Sequence, residues 1–173
     1  LSLTGSGVLG AASAGTQTVT NNNTLAIANG TGLASNYTLS GATINVTVIP
    51  RALNVTLSRE YDGTTVVSGA SLTPTFDSLQ GGETLALSGT GSVSTANVGS
   101  SKAVTLGTIA LAAGSGNPNN YTLNTANMNV TQRVINLDGI RAYDATTNVL
   151  SSDITTFGNI VSGETLTISG TGS

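Results

Sequence analysis

From Arg59 to Thr65 the chain reads Arg-Glu-Tyr-Asp-Gly-Thr-Thr, and from Arg141 it reads Arg-Ala-Tyr-Asp-Ala-Thr-Thr. Arg, Tyr, Asp and both Thr return after 82 positions. A chain that repeats at such a spacing must fold as recurring units, each burying its apolar residues on itself or on a neighbour. The repetition extends well beyond this motif. Leu1-Ser2-Leu3-Thr4-Gly5-Ser6-Gly7 comes back as Leu85-Ala86-Leu87-Ser88-Gly89-Thr90-Gly91, and again as Leu166-Thr167-Ile168-Ser169-Gly170-Thr171-Gly172. Asn36-Tyr37-Thr38-Leu39 recurs as Asn120-Tyr121-Thr122-Leu123, Gly15 answers to Gly99, and Asn45-Val46-Thr47 to Asn129-Val130-Thr131. The offset then falls from 84 to 82, as between Arg51 and Arg133, so two residues are lost near Val48–Pro50.

One period is thus about 82 residues, and the chain holds roughly two of them, cut out of phase. Residues 1–50 read as the C-terminal portion of one repeat, 51–133 as a complete repeat, and 134–173 as the N-terminal portion of the next. Ile49-Pro50-Arg51 is the best junction, because proline restricts the residue before it to extended geometry. With no charged-then-apolar leader at Leu1 and no apolar run long enough to cross a bilayer, the chain reads as a soluble segment of a longer array.

Hydrophobic residues make up 38% of the sequence and fall in short alternating runs: Leu53-Val55-Leu57, Leu85-Leu87, Val104-Leu106, Ile109-Leu111 and Met128-Val130. Period two, bounded by Gly, Asn and Ser, is the pattern of strands and turns, and no stretch carries a helical stripe. The fold class expected is all-β. Within the complete repeat, strands are predicted near 52–57, 64–67, 72–76, 84–88, 103–106, 108–112, 121–124 and 126–131. Asp62-Gly63 reads as a hairpin signal, and Gly81-Gly82 and Gly89-Thr90-Gly91 as further turns. Ala145 stands where the first copy has Gly63, which argues against a positive φ at both copies. Seven or eight short strands fit a small Ig-like β-sandwich, repeated in tandem as an elongated array. A β-helix-like solenoid is the alternative, but its coils would repeat at about 20 residues, and no such period stands out.

Composition removes several kinds of chemistry. Five basic against eight acidic residues give a net charge of −3, which offers no electrostatic footprint for nucleic acid or an anionic membrane. Cysteine and histidine are both absent, so thiol chemistry, the usual zinc sites and His-based triads are excluded. The acids are scattered one per motif rather than paired, which leaves a glycosidase without its two carboxylates. No cofactor, metal site or catalytic residue is expected.

Tyr-Asp-Gly-Thr-Thr at 61–65, Gly-Glu-Thr-Leu-x-Leu-Ser-Gly-Thr-Gly at 82–91, Asn-Val-Gly at 97–99 and Asn-Tyr-Thr-Leu at 120–123 together resemble the YDG-type repeats. These are related to MBG repeats and occur in large bacterial surface proteins similar to filamentous haemagglutinins. The resemblance covers essentially the whole chain. It implies a structural or adhesive module of an adhesin, outside the cell or on its surface, acting as a stalk and in cell–cell or biofilm-matrix contacts. Copies of itself, neighbouring repeats, and host or matrix glycans or proteins are the partners it implies, and a glycan-binding module is the alternative function.

The motif residues Arg59, Tyr61, Asp62, Gly63, Thr64 and Thr65, with Arg141, Tyr143 and Asp144, are expected to be structural. A tyrosine has an apolar body and a polar tip, so Tyr61, Tyr143, Tyr37 and Tyr121 read as core or corner residues with anchored hydroxyls rather than as a sugar-stacking platform. Asp62 and Asp144 read as turn caps paired with Arg59 and Arg141, because calcium would need more oxygens than each turn offers. Gly5-Ser6-Gly7-Val8-Leu9-Gly10 spells a dinucleotide fingerprint without the helix it requires, and is a turn. Lys102, the only lysine, could form an isopeptide crosslink to an asparagine, but its counterpart is Thr18. Asn-x-Thr sequons stand at Asn22, Asn36, Asn45, Asn54, Asn120 and Asn129, best explained as one duplicated strand pattern.

Overall fold

The computed structural model describes residues 1–172, and of Thr171 the backbone alone. Ser173, the last residue of the segment 134–173, lies outside the described residues. The chain is all-β. Strands β1 (Ser2–Thr4), β2 (Val8–Leu9), β3 (Gly15–Asn21), β4 (Ala26–Ala28) and β5 (Asn45–Val48) precede Pro50. Then come β6 (Arg51–Glu60), β7 (Val66–Ser68), β8 (Thr75–Phe76), β9 (Leu85–Ser88), β10 (Thr90–Val93), β11 (Gly99–Thr105), β12 (Ala110–Ala113) and β13 (Tyr121–Thr131). The last four are β14 (Asn136–Gly139), β15 (Val149–Leu150), β16 (Ile154–Gly158) and β17 (Thr171–Gly172). Shifted by 84 residues, β2, β3 and β4 fall on β10, β11 and β12. Shifted back by 82, β14 and β15 fall on β6 and β7. The correspondence is partial: 37–44 and 166–169 form no strand, whereas their counterparts lie in β13 and β9.

The largest sheet has six strands in the order β7-β10-β11-β13-β6-β8, and β9 pairs with β12. β2-β3-β5 form a three-stranded sheet, while β1 with β4, β14 with β16 and β15 with β17 form antiparallel pairs. β7, β10, β11 and β13 are likewise joined antiparallel. Stacked solenoid coils would give parallel ladders throughout, so the solenoid reading finds no support. The ties between β6 and β13 do run in one sense along both strands. Asn124 Nδ2 donates to Asn54 Oδ1 (3.0 Å), and seven residues further along each strand the Tyr61 amide donates to the Thr131 carbonyl (2.9 Å).

Contacts divide the chain into two compact units. The first comprises Leu1–Asn54, Phe76–Ala86 and Leu111–Asn124; the second comprises Val55–Thr75, Leu87–Ala110 and Thr125–Ser173. In the first, Leu53, Leu85 and Tyr121 form a buried cluster flanked by Phe76, Leu79 and Leu111. In the second, alternation on β6 buries Val55 and Leu57, and alternation on β13 buries Ala126, Met128 and Val130. Each of the valine, leucine and methionine side chains so removed from water is worth about 1.5–3 kcal/mol. All twelve buried hydrophobics among the described residues lie between Leu53 and Val130. Similarly patterned residues outside that stretch, such as Leu3, Leu137 and Ile168, are exposed.

Three local expectations need correction. Asp62-Gly63 does not close a hairpin, because β6 and β7 are not neighbours in the sheet. Gly89 does not turn the chain back: β9 before it pairs with β12, and β10 after it pairs with β7 and β11, so it is where the chain changes sheets. Its φ is +76°, and a Cβ there would lie 2.0 Å from the Thr108 carbonyl oxygen, so only glycine fits. Residues 121–131 form one strand, not two. Opposite it, β11 carries a bulge between Gly99 and Lys102, with Ser101 at φ +51° and its amide donating to Asn129 Oδ1 (2.8 Å).

Candidate functional site

The recurring motif folds into the same turn in both copies. β6 ends at Glu60, and the side chain of Arg59, 11% exposed, reaches across the turn that follows. Its Nη1 donates to Thr64 Oγ1 (3.1 Å) and to the Val66 carbonyl, and Nη2 donates to the Thr64 carbonyl. Nη1 also lies 3.1 Å from Asp62 Oδ2. Asp62 Oδ1 accepts from the Thr64 amide (2.9 Å) and from Thr64 Oγ1 (3.0 Å), closing an Asx turn. The carbonyl of Thr65 accepts from the Val93 amide at 2.9 Å. In the second copy, Arg141 donates to Thr146 Oγ1 (3.2 Å), the Thr146 carbonyl and the Asn148 carbonyl. Asp144 Oδ1 there accepts from the Thr146 amide (3.0 Å) and hydroxyl (2.8 Å).

These contacts fit the expected capping role of both aspartates. Partial burial pushes Asp62 up, but the amide and hydroxyl of Thr64 and the Arg59 charge outweigh it and hold the carboxyl below its ordinary value. The Thr146 hydroxyl and amide, aided by Arg141, hold Asp144 low as well. The expectation for the position after the aspartate is overturned. Gly63 has φ +75° and Ala145 has φ +57°, so the turn takes a left-handed residue in both copies. The aspartate and threonine bonds impose that geometry, and alanine bears its steric cost.

The four tyrosines do not share one environment. Tyr121 is a core residue, 7% exposed; its hydroxyl accepts from the Gln80 amide (3.2 Å) and donates to Glu83 Oε2. Tyr61 is half-buried, with its hydroxyl donating to Glu164 Oε1 rather than to backbone. Hydrogen bonding to these carboxylates raises the pKa of both phenols. Tyr37 is 58% exposed and Tyr143 93%, so neither is the core or corner residue expected.

Two cavities are built around the two glutamates, a role not visible in the sequence reading beyond their repeat equivalence. In the first unit, a cavity of about 350 Å³ is lined by Ala14, Val48, Arg51, Gln80 and Glu83, with Asn120 and Tyr121 set against them. Asn120 Oδ1 accepts from the Ala14 amide at 2.8 Å. In the second unit, a cavity of about 440 Å³ is lined by Val98, Gln132, Arg133, Val161 and Glu164, with Tyr61 beside them. Those five residues are the repeat counterparts of the first five, in the same order. Arg133 stiffens the second cavity: Nε and Nη2 donate to the carbonyl and Oδ1 of Asn159, both at 2.7 Å, and Nη1 to the Tyr61 carbonyl (3.3 Å). Asn159, at φ +62°, donates in turn to the Val134 carbonyl (2.6 Å).

Other candidate chemistry resolves into local structure. Lys102 Nζ donates to Thr95 Oγ1 (2.9 Å) and to the carbonyls of Thr95 (2.7 Å) and Asn97, clamping the loop before β11 rather than facing an asparagine carboxamide. The carboxamide oxygens of sequon residues Asn45, Asn120 and Asn129 all accept hydrogen bonds, from Thr18, Ala14 and Ser101 respectively. Among the described residues, no three acids gather within metal-binding range.

Residues 49–128 match the family model described as the YDG domain, so the chain carries a YDG-type domain over that stretch. No curated protein and no solved structure matches the chain.

Proposed function

We propose that this chain is a structural and adhesive repeat segment of a bacterial cell-surface or secreted adhesin, in which domains of about 82 residues follow one another in an elongated tandem array. Residues 51–133 form the complete repeat, with portions of its neighbours at 1–50 and 134–173. The carrying observation is that one turn, held by the same Arg, Asp and Thr bonds, is built at Arg59 and again at Arg141. Such a module works mechanically, without catalysis, cofactor or metal. Its partners are neighbouring repeats, further copies, and matrix or host glycans and proteins.

Display of the chain on a non-adherent bacterial cell, scored for clumping and for retention on coated surfaces, tests the reading. Broad retention is the expected result, and cells no stickier than the empty display host would refute it. A single sharp glycan specificity, abolished by a point change in the Glu164 cavity, would instead establish the glycan-binding module.

A further inference from the structure

Each of the two cavities lies where one repeat meets the next. At the first, Ala14 and Val48 belong to residues 1–50, and Gln80 and Glu83 to residues 51–133. At the second, Val98 and Gln132 belong to residues 51–133, and Val161 and Glu164 to residues 134–173. Both junctions therefore set the same part of the earlier repeat against the same turn of the later one. That turn has one construction in both copies. The Glu83 amide donates to the Gln80 carbonyl (2.9 Å) and the Glu164 amide to the Val161 carbonyl (3.1 Å). Gly82 at φ +75° and Gly163 at φ +89° stand just before the glutamates.

At the second junction the earlier repeat also brings its Tyr-Asp-Gly turn to this place. The Tyr61 hydroxyl donates to Glu164 Oε1, 103 residues along the chain. Gly63 comes so close that a Cβ on it would lie 2.8 Å from Val161 Cγ1. Arg133 joins the two sides. It donates to the Tyr61 carbonyl (3.3 Å) and, in the other direction, to the carbonyl and Oδ1 of Asn159 (both 2.7 Å), and it lies 3.8 Å from Glu60. The bonds of Arg59 and Asp62 to Thr64, by contrast, stay within the turn. Arg59, Asp62 and Thr64 thus hold the turn in shape, while Tyr61 and Gly63 meet residues of 134–173.

We infer that the Tyr-Asp-Gly turn is a docking surface for the following repeat, with the glutamate-bearing turn of that repeat as its partner and Arg133 as the residue that positions the two. The inference deepens the proposed tandem-array role, on which it rests, by naming the surface through which consecutive repeats join. A phenol on a carboxylate, and a guanidinium on a carbonyl and a carboxamide, set direction as well as strength, because each bond needs its partner in one orientation. The junction at Arg133 is therefore a fixed coupling rather than a free linker.

Hydrogen exchange followed by mass spectrometry on the intact chain tests this. Amides of β14 and β16 exchange when the later repeat lets go of the turn. Tyr61→Phe and Glu164→Ala should each speed that exchange about tenfold, the factor expected for a hydrogen bond to a charged group. β6 and β13 should keep their protection, which shows that the variants are folded. The double variant should exchange no faster than the quicker single one, because both substitutions remove the same bond. Tyr143→Phe, which alters the same motif residue where it is 93% exposed, should change nothing. Exchange in β14 and β16 that ignores Tyr61→Phe and Glu164→Ala, or that rises in the double variant by the product of the two effects, overturns the docking. If β6, β13, β14 and β16 lose protection together, the division into repeats falls with it. Adhesion of cells displaying the unaltered chain is scored apart, so the adhesive role can fail while the docking stands.

Discussion

Replacing Gly63 with alanine should destabilise the chain for two separable reasons. Gly63 sits at φ +75°, where an L-residue pays about 1–2 kcal/mol. A Cβ would also come within 2.8 Å of Val161 Cγ1, and overpacking of that kind costs about 1–3 kcal/mol unless the neighbour yields. Val161 can shift toward the cavity it lines, so about 2–4 kcal/mol is expected in all. For a chain of this length that lowers the melting temperature by about 4–16 °C, at roughly 2–4 °C per kcal/mol. Melting followed by circular dichroism is the assay. Gly63→Ala combined with Val161→Ala should show a favourable coupling of about 1 kcal/mol or more, leaving the backbone share of the loss in place. The second copy supplies the control, since Ala145→Gly removes the same backbone strain and should stabilise by about 0.5–1 kcal/mol after the entropy of the added glycine. A Gly63→Ala chain that melts within a degree of the wild type would show that the turn does not need its left-handed residue.

Three further outcomes follow from the same contacts. Val55→Ala should cost about 1–3 kcal/mol in chemical denaturation, whereas Leu137→Ala at the equivalent position should cost well under 1, because Val55 is 1% exposed and Leu137 40%. Tyr121→Phe should lower stability by about 1–2 kcal/mol in the same assay, since it strips Glu83 and the Gln80 amide of their partner. Asp77 accepts from the Asn54 amide (3.0 Å) and carboxamide (2.7 Å), which hold it low. In a pH series, Asp62, Asp77 and Asp144 have folded-state pKa values below the ordinary 3.8, so the stability they contribute is present above that pH and lost as pH falls through their lower folded values. Tyr61 and Tyr121 are raised above 10.0, so their contribution holds below that pH and is lost as pH rises through the higher folded values. Melting temperatures that stay flat on either flank would contradict the corresponding assignment.

Period-two alternation located Leu53, Val55, Leu57, Met128 and Val130, because a strand with one buried face must place every second residue inside. The same alternation misleads at Leu3, Leu137 and Ile168, since it records a strand's preference but not whether another sheet covers that face. The motif turn was legible because Asp62 and Thr64 bond within two residues of each other. The left-handed Ala145 was not, because its own side chain gives no hint that neighbouring bonds override a local steric preference. The two glutamate cavities were the least visible. Glu83 meets a tyrosine 38 residues away and Glu164 one 103 residues away, distances at which only the folded chain shows the partner.

The matched direction of β6 and β13 bears on how this stretch would carry load. The chain enters at Arg51 and leaves at Thr131, along strands whose ties run from Asn54–Asn124 to Tyr61–Thr131. Tension applied to the backbone on either side drags one strand lengthwise past the other. The cross-strand bonds are then strained together, in shear, instead of opening one after another like a zip. A repeat threaded this way would yield abruptly at high force, while antiparallel pairs such as β14 with β16 would peel apart at much lower tension.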